Sequence, residues 1–258
     1  MQILFNKYHG AGNDFIIIDN RKHIIDPKDR ELVKYLCDRH RGIGSDGLIL
    51  VYEHDEHDFE MKYYNSDGMQ GSMCGNGGRC AAAYAEKSGI TREKNTFMAS
   101  DGLHYSKTSG KMISISIRDT APPSYIRGNH FINTGSPHYI VYVSDHREVD
   151  VVLQGRELRN SEIFAPDGTN VNFVEQKDEG IYVRTYERGV EDETLSCGTG
   201  VTAAAISSQW DKGEGSYKVK VNTPGGVLSV SFELRKTLIT NICLSGPAEF
   251  VFSGILNI

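Results

Sequence analysis

The segment CGNGGRCAA, residues 74 to 82, returns as CGTGVTAAA at residues 197 to 205, an offset of 123. Both copies read Cys-Gly-polar-Gly and then run into small residues. Each has a comparable lead-in, YNSDG at Tyr64 to Gly68 and YERG at Tyr186 to Gly189. Each is also followed by a similar pair of strand patterns. FMASDGL (97 to 103) leads towards the alternating run Met112 to Ile117, and NTPGGVL (222 to 228) leads into Ser229 to Phe232. Gly102 and Gly226 lie 124 apart, so the register holds to within a residue. A fainter echo joins Lys7 to Ile18 with Asn133 to Val143. One internal duplication at this period implies two similar α/β halves related by a pseudo-twofold axis.

The boundary is expected at Asp119 to Ser124 (DTAPPS), where two prolines interrupt the strand pattern, giving halves of 1–118 and 119–249. Alternation at Ile113 to Ile117 reads as a half-buried strand. Ala81 to Lys87, Thr202 to Gln209 and Asp29 to Asp38 read as helices, the first ended by Ser88-Gly89.

At 258 residues the chain can bury substantial cores, and 39% hydrophobic with 24% charged residues is a soluble globular composition. Its apolar runs are too short to span a bilayer, and no secretory signal pattern opens the chain, so a cytoplasmic location is expected. The net charge of −6, with Lys and Arg scattered, argues against nucleic acid and anionic membrane surfaces as partners. Glu53 to Glu60 (EHDEHDFE) reads as a solvated loop rather than a metal site.

Five cysteines, at 37, 74, 80, 197 and 243, are an odd number and include no CxxC pair. Neither a disulfide framework nor a zinc site is expected. Cys37 and Cys243 read as small core residues. Cys80 aligns with Ala203 in the second copy, which makes it a packing position. Cys74 and Cys197 differ, because each stands where a loop enters a helix. Unpaired N–H groups and the helix dipole stabilise an anion there and lower a thiol pKa. The Gly-polar-Gly that follows lets a ligand approach the backbone. As symmetry mates, they are expected to aim into one cleft.

Inverting a stereocentre by proton transfer needs a base on one face and an acid on the other, and two like groups with pKa near working pH serve both directions. A hydrolytic cysteine would instead need one thiolate, a histidine base and an oxyanion hole, and the second copy would go unused. Glycine-rich turns also bind phosphates, but neither GxxxxGK[ST] nor GxGxxG is present. The structural alternative is that both cysteines merely fill space at glycine-rich helix starts.

The motifs HGAGNDF (9–15), RGIGSDG (41–47), YNSDG (64–68), MCGNGGRC (73–80), GSPH (135–138), NVNF (170–173), RTYERG (184–189), LSCGTG (195–200) and PGG (224–226) follow in order along nearly the whole chain. In them the chain closely resembles the diaminopimelate epimerase family. That resemblance implies cofactor-independent interconversion of LL- and meso-diaminopimelate, feeding lysine and cell-wall synthesis. It implies a fold of two pseudo-symmetric α/β (α+β) domains, each a mostly antiparallel β-barrel around a central helix. Residues 250–258 would return to the first domain, and the protein would be a homodimer.

By the same resemblance Cys74 and Cys197 are the acid–base pair, and Asn13, Asn65, Asn170 and Arg188 hold substrate. The amides of Gly75, Asn76, Gly198 and Thr199 cradle the reacting carboxylate. His138 and Glu187 orient the amino group or tune the thiols. Asp14 and Asp67 are equally readable as turn or cap residues. No metal is expected. The chain departs from some members at Gly47, where a substrate-contacting Gln stands, at Ser136, which replaces an Asn, and in the loop Gly189 to Thr194, longer by one residue. The competing readings are a proline or hydroxyproline racemase and a non-catalytic ligand-binding member of the fold.

Overall fold

Gly47–Tyr52 (GLILVY) has no polar alternation, and all six residues are buried. A strand with both faces covered needs none. The computed structural model, which describes residues 2–91 and 95–258, shows how that cover is built. The chain divides into two compact units, Met1–Ile115 with Gly246–Ile258, and Ser116–Ser245.

The first unit holds β1 (Gln2–Gly10), β2 (Asn13–Asp19), α1 (Arg30–Cys37), β3 (Gly47–Tyr52), β4 (Phe59–Asn65), α2 (Gly75–Lys87), β5 (Thr96–Ala99), β6 (Gly102–Ser109) and β7 (Met112–Ser116). The second holds β8 (Ser124–Ile126), β9 (Asn129–Asn133), β10 (Pro137–Tyr142), α3 (Val151–Arg159), β11 (Asn170–Lys177), β12 (Gly180–Glu187), β13 (Asp192–Thr194), α4 (Gly198–Gln209), β14 (Gly215–Thr223), β15 (Gly226–Leu234) and β16 (Ile239–Pro247). The C-terminal strand β17 (Glu249–Asn257) pairs with β1. The division falls inside β7 and β16, close to the proline-bearing segment Asp119 to Ser124.

The duplication reappears in the pairing. In the first unit β17–β1 and β1–β2 are antiparallel, β2–β3 parallel, β3–β4 antiparallel, β4–β5 parallel, and β5–β6 and β6–β7 antiparallel. In the second, β8–β9, β9–β10, β10–β11, β11–β12, β12–β14, β14–β15 and β15–β16 repeat those senses in the same order. The faint echo between Lys7 to Ile18 and Asn133 to Val143 thus falls on matching positions, β1–β2 and β9–β10. Gly102 and Gly226 open matching hairpin strands at φ 126° and 137°, a region open to glycine at little cost.

Each mostly antiparallel sheet wraps a central helix. α2 packs against β1, β2, β3, β4, β6 and β17, and α4 against β9, β10, β11, β12, β14 and β15. Ten of thirteen residues of α2 and ten of twelve of α4 are buried, so neither can carry a polar stripe, and small residues let the strands close in. Both helices begin earlier than the alanine runs suggest, because the glycine-rich segments form their first turns. Outside the sheets, Val33 and Leu36 of α1 pack with Leu48 and Leu50 of β3, and Val151 of α3 packs with Val171, Phe173 and Tyr186. Each such buried aliphatic or aromatic side chain contributes about 1.5–3 kcal/mol. Asp29 and Asp150 cap α1 and α3 through Leu32 N–H and Leu153 N–H, about 1 kcal/mol each.

Candidate active site

Cys74 is the N-cap residue of α2, in extended backbone (φ −98°, ψ 118°), and its Sγ accepts from the Gly77 N–H at 3.4 Å. A thiol occupies the place of the usual Ser or Asp cap, so the first-turn amides lie around the sulfur. Next to it, Asn76 Nδ2 donates to Asn13 Oδ1 at 2.7 Å, and Asn13 Nδ2 donates to Asp46 Oδ2 at 3.2 Å. Asn13 follows the tight turn at Ala11 and Gly12, both at positive φ. Arg79, fully buried, donates to Asn76 Oδ1 at 2.9 Å and to the Gly75 carbonyl at 3.2 Å. Nothing in MCGNGGRC marks this arginine as buried. Asp14 is an ion-pair residue: burial alone would raise its pKa, but hydrogen bonds from Arg39 and Lys7 hold it at about 2.

Cys197 holds the N-cap position of α4 in nearly the same backbone conformation (φ −110°, ψ 112°) and is buried, but unlike Cys74 its side chain makes no capping hydrogen bond. Its Sγ lies 3.4 Å from Thr199 Oγ1, which lies 2.9 Å from His138 Nε2. His138 Nδ1 is 3.0 Å from Asn172 Nδ2, and Asn172 Oδ1 accepts from Thr185 Oγ1 at 2.9 Å. The donors can be ordered along this chain. An amide nitrogen only donates, so His138 Nδ1 accepts and Nε2 carries the ring proton. Nε2–H then donates to Thr199 Oγ1, leaving the threonine hydrogen to point at sulfur. Burial, with the nearby charge of Arg188, pushes His138 down to about 3 against the opposing bond from Asn172, so the ring stays neutral at ordinary pH. Asn172 lies within NVNF, where nothing local marks its role; folding buries it behind His138.

The other nominated residues sit at strand ends. Asn65 ends β4, exposed, opposite Gly47 in the β3–β4 register. A Cβ on Gly47 would lie 2.4 Å from Tyr63 Cε2 and 2.9 Å from its hydroxyl, so the Tyr63 ring fills the space that a glutamine would take. Asp67 is a turn residue, its carboxylate accepting from Met69 N–H at 2.8 Å. Asn170 opens β11, donates to Ser136 Oγ at 2.6 Å and to the Pro137 carbonyl at 2.8 Å, and accepts from Arg188 N–H at 2.8 Å. Ser136 therefore anchors Asn170. The Arg188 guanidinium reaches the Asp167 carbonyl at 3.3 Å, and among the described residues no carboxylate pairs with it. Glu187, at the end of β12, accepts from Thr194 Oγ1 at 2.9 Å. In the loop between them Glu191 binds Arg159 of α3 at 2.9 Å, so the extra residue is held against the second unit.

None of the five cysteines is disulfide-bonded. Burial pushes the Cys37 and Cys80 thiols up, as suits packing residues. Among the described residues Asp145, His146 and Glu175 bring three ligand atoms within 4.8 Å. Their carboxylates are already engaged, Asp145 bidentately by Arg147 and Glu175 by His146 and Lys177. A 330 Å³ cavity beside them, lined by His146, Tyr182, Arg184 and Asn222, contains none of the nominated residues. No helix among the described residues is long and apolar enough to cross a membrane.

Known proteins carry the same architecture. The Bacillus anthracis phenazine biosynthesis protein of the PhzF family superposes with a TM-score of 0.80 at 14% identity, covering all of both chains. A hydroxyproline epimerase from Agrobacterium vitis gives 0.71 at 14% identity, covering 99% of this chain and 92% of that one. At such identities the likeness is one of fold. In sequence the chain is 47% identical over 248 residues to the diaminopimelate epimerase of Flavobacterium psychrophilum, covering 95% of this chain and 97% of that one. It is 42% identical over 263 residues to the diaminopimelate epimerase of Chlorobaculum tepidum, covering 96% and 99%. The family model described as diaminopimelate epimerase matches residues 5–111 and 130–251, a span that takes in both cysteine-capped helix starts, and the chain belongs to the diaminopimelate epimerase family.

Proposed function

We propose that the chain epimerises LL-diaminopimelate to meso-diaminopimelate without a cofactor, with Cys74 and Cys197 acting on opposite faces of one α-carbon. The observation that carries this reading is a thiol at the N-cap of each of two equivalent helices, a place where an ordinary cap would be Ser, Thr, Asp or Asn. One sulfur, as thiolate, removes the α-proton. The electron pair spreads into the adjacent carboxylate, and the other sulfur, as thiol, delivers a proton to the far face. The carbanion is opposed by the carboxylate beside it. First-turn amides of Gly75, Asn76, Gly198 and Thr199 offset that charge where it develops.

Arg188, unmatched by a carboxylate among the described residues, suits the distal carboxylate of the substrate through a bidentate pair. Asn13, Asn65 and Asn170 position the rest, Glu187 holds the amino group, and His138 acts on Cys197 through Thr199. Arg188 also argues against a proline-like substrate, which has no second carboxylate to bind. The working form is a cytoplasmic homodimer; Leu4 and Ile255, cross-strand partners on β1 and β17, expose adjoining apolar side chains suited to such a contact.

Replacing either Cys74 or Cys197 with Ala should abolish epimerisation while leaving far-UV circular dichroism and the unfolding midpoint close to wild type. A single-cysteine variant that keeps substantial epimerase activity would refute the two-thiol reading.

A further inference from the structure

Arg79 is fully buried in the second turn of α2, and its Nε has no hydrogen-bond partner. Its remaining contacts are the neutral Gly75 carbonyl and Asn76 Oδ1, with no carboxylate among the described residues in ion-pair reach. Burial pushes its pKa down to about 10, which leaves it a cation at neutral pH. Such a charge is costly in a protein interior unless an anion faces it. Its guanidinium reaches back 3.2 Å to the carbonyl of Gly75, the residue after the N-cap Cys74, and the ionisable groups nearest in influence are its chain neighbour Cys80 and Cys74. Cys80 is buried completely and burial raises its pKa, so it remains a neutral thiol. That leaves Cys74.

Most of the charges on the strands around α2 are paired, the exceptions being Lys107 of β6, which is exposed, and His9 of β1, whose buried Nδ1 has no hydrogen-bond partner. Lys7 and Arg39 bind Asp14, Lys62 binds Glu60, His104 sits on Asp101, and Lys111 binds Glu249. Burial pushes Tyr8 up to about 12 and raises Tyr84, so both phenols are neutral.

The second unit supplies a control. Thr202 stands 123 residues after Arg79, and its Oγ1 donates to the Gly198 carbonyl at 2.9 Å, the counterpart of the Arg79 bond to Gly75. Tying down the first turn therefore requires only a hydroxyl. The positive charge at position 79 exceeds that task.

We infer that Arg79 is a positioning residue that supplies the countercharge of Cys74, so that Cys74 rests as the thiolate and Cys197 as the thiol. This rests on the two-thiol reading above and deepens it. With LL substrate the Cys74 thiolate takes the α-proton and becomes a neutral thiol beside Arg79, while Cys197 gives its proton to the opposite face and becomes the thiolate, held by the Thr199 hydroxyl. Exchange of one proton with water restores the resting pair.

The test is site-resolved alkylation with iodoacetamide across pH 5–10, read by mass spectrometry on the peptides of Cys74 and Cys197 in the full chain. In the unaltered protein the Cys74 midpoint should lie below that of Cys197. In Arg79→Met it should rise by at least about one pH unit, slowing Cys74 alkylation at pH 7 about tenfold. Arg79→Lys should restore most of the shift, and the Cys197 midpoint should not move in either variant. Equal midpoints in the unaltered chain overturn the inference even if Arg79→Met fails to fold. A folded Arg79→Met with an unmoved Cys74 midpoint overturns it too. Epimerase activity is assayed separately, so a chain inactive on diaminopimelate whose Cys74 midpoint still follows the charge at position 79 retains this pairing and loses only the proposed reaction.

Discussion

Thr199→Val removes one hydroxyl from the middle of the chain that joins His138 to Cys197, and its cost can be worked from two distances. Oγ1 accepts from His138 Nε2 at 2.9 Å and faces Cys197 Sγ at 3.4 Å. Without it the buried Nε2–H loses its acceptor, a penalty of about 1–3 kcal/mol in stability. The Cys197 thiolate loses a donor to a charged atom, worth about 1.5–3 kcal/mol, which corresponds to roughly a tenfold to a hundredfold loss of rate. Both directions of epimerisation should slow, because Cys197 is the thiolate after one and before the other. Thr199→Ser keeps the hydroxyl and should stay within a few-fold of wild type. Three readouts follow: initial rates with LL- and meso-diaminopimelate, urea unfolding, and the pH midpoint of Cys197 alkylation, which should rise by about one to two units in the valine variant. If Thr199→Val matches Thr199→Ser in rate and in Cys197 midpoint, the hydroxyl does not act on sulfur and the assigned donor order is wrong.

Gly200→Ala should disturb the same chain from the other side. An added Cβ would lie 2.4 Å from Asn172 Oδ1 and 3.2 Å from His138 Cε1, so the loss should be about 1–3 kcal/mol in urea unfolding with a fall in activity, and a neutral substitution would contradict the packing. His138 sets an acid limit. Burial holds its native pKa at about 3 against an ordinary 6.5, so between those values the unfolded chain binds a proton that the native chain does not. This contribution is complete above pH 6.5 and is lost as pH falls towards 3, at about 1.4 kcal/mol per pH unit. The difference in unfolding free energy between wild type and His138→Gln should therefore narrow from pH 7 to pH 4; parallel profiles would show that His138 is not a buried neutral histidine.

Which features could be read from sequence follows from how local their causes are. The duplication was visible at the cysteine-capped helix starts because cap, glycines and small residues all lie within one turn. The segment Asp29 to Asp38 reads as a helix, and α1 spans Arg30–Cys37 with Asp29 as its cap. The α3 segment does not read as one. Gly155 reads as a breaker in its middle, yet a Cβ there would sit 2.4 Å from Tyr186 Cβ, so the glycine is what lets the helix lie on β12. Arg79 has no signal in the sequence, because an arginine in a motif carries no mark of burial. The His138–Thr199 contact bridges 61 residues and Asn172 reaches His138 across 34, so both depend on the parallel β10–β11 register and on α4 packing inside the sheet. The contrast at Gly47 was legible, but the Tyr63 ring that fills it was not, because both hang on the β3–β4 pairing.

The central claim concerns two different acid–base groups on the two faces of one carbon. LL-diaminopimelate incubated in heavy water and sampled at low conversion tests it directly, by the isotope content of substrate and product at the inverted carbon. Two solvent-equilibrated thiols predict meso product carrying one deuterium there and remaining LL substrate carrying none. Product that retains the original protium, or substrate that gains deuterium as fast as it epimerises, would mean that a single group serves both faces.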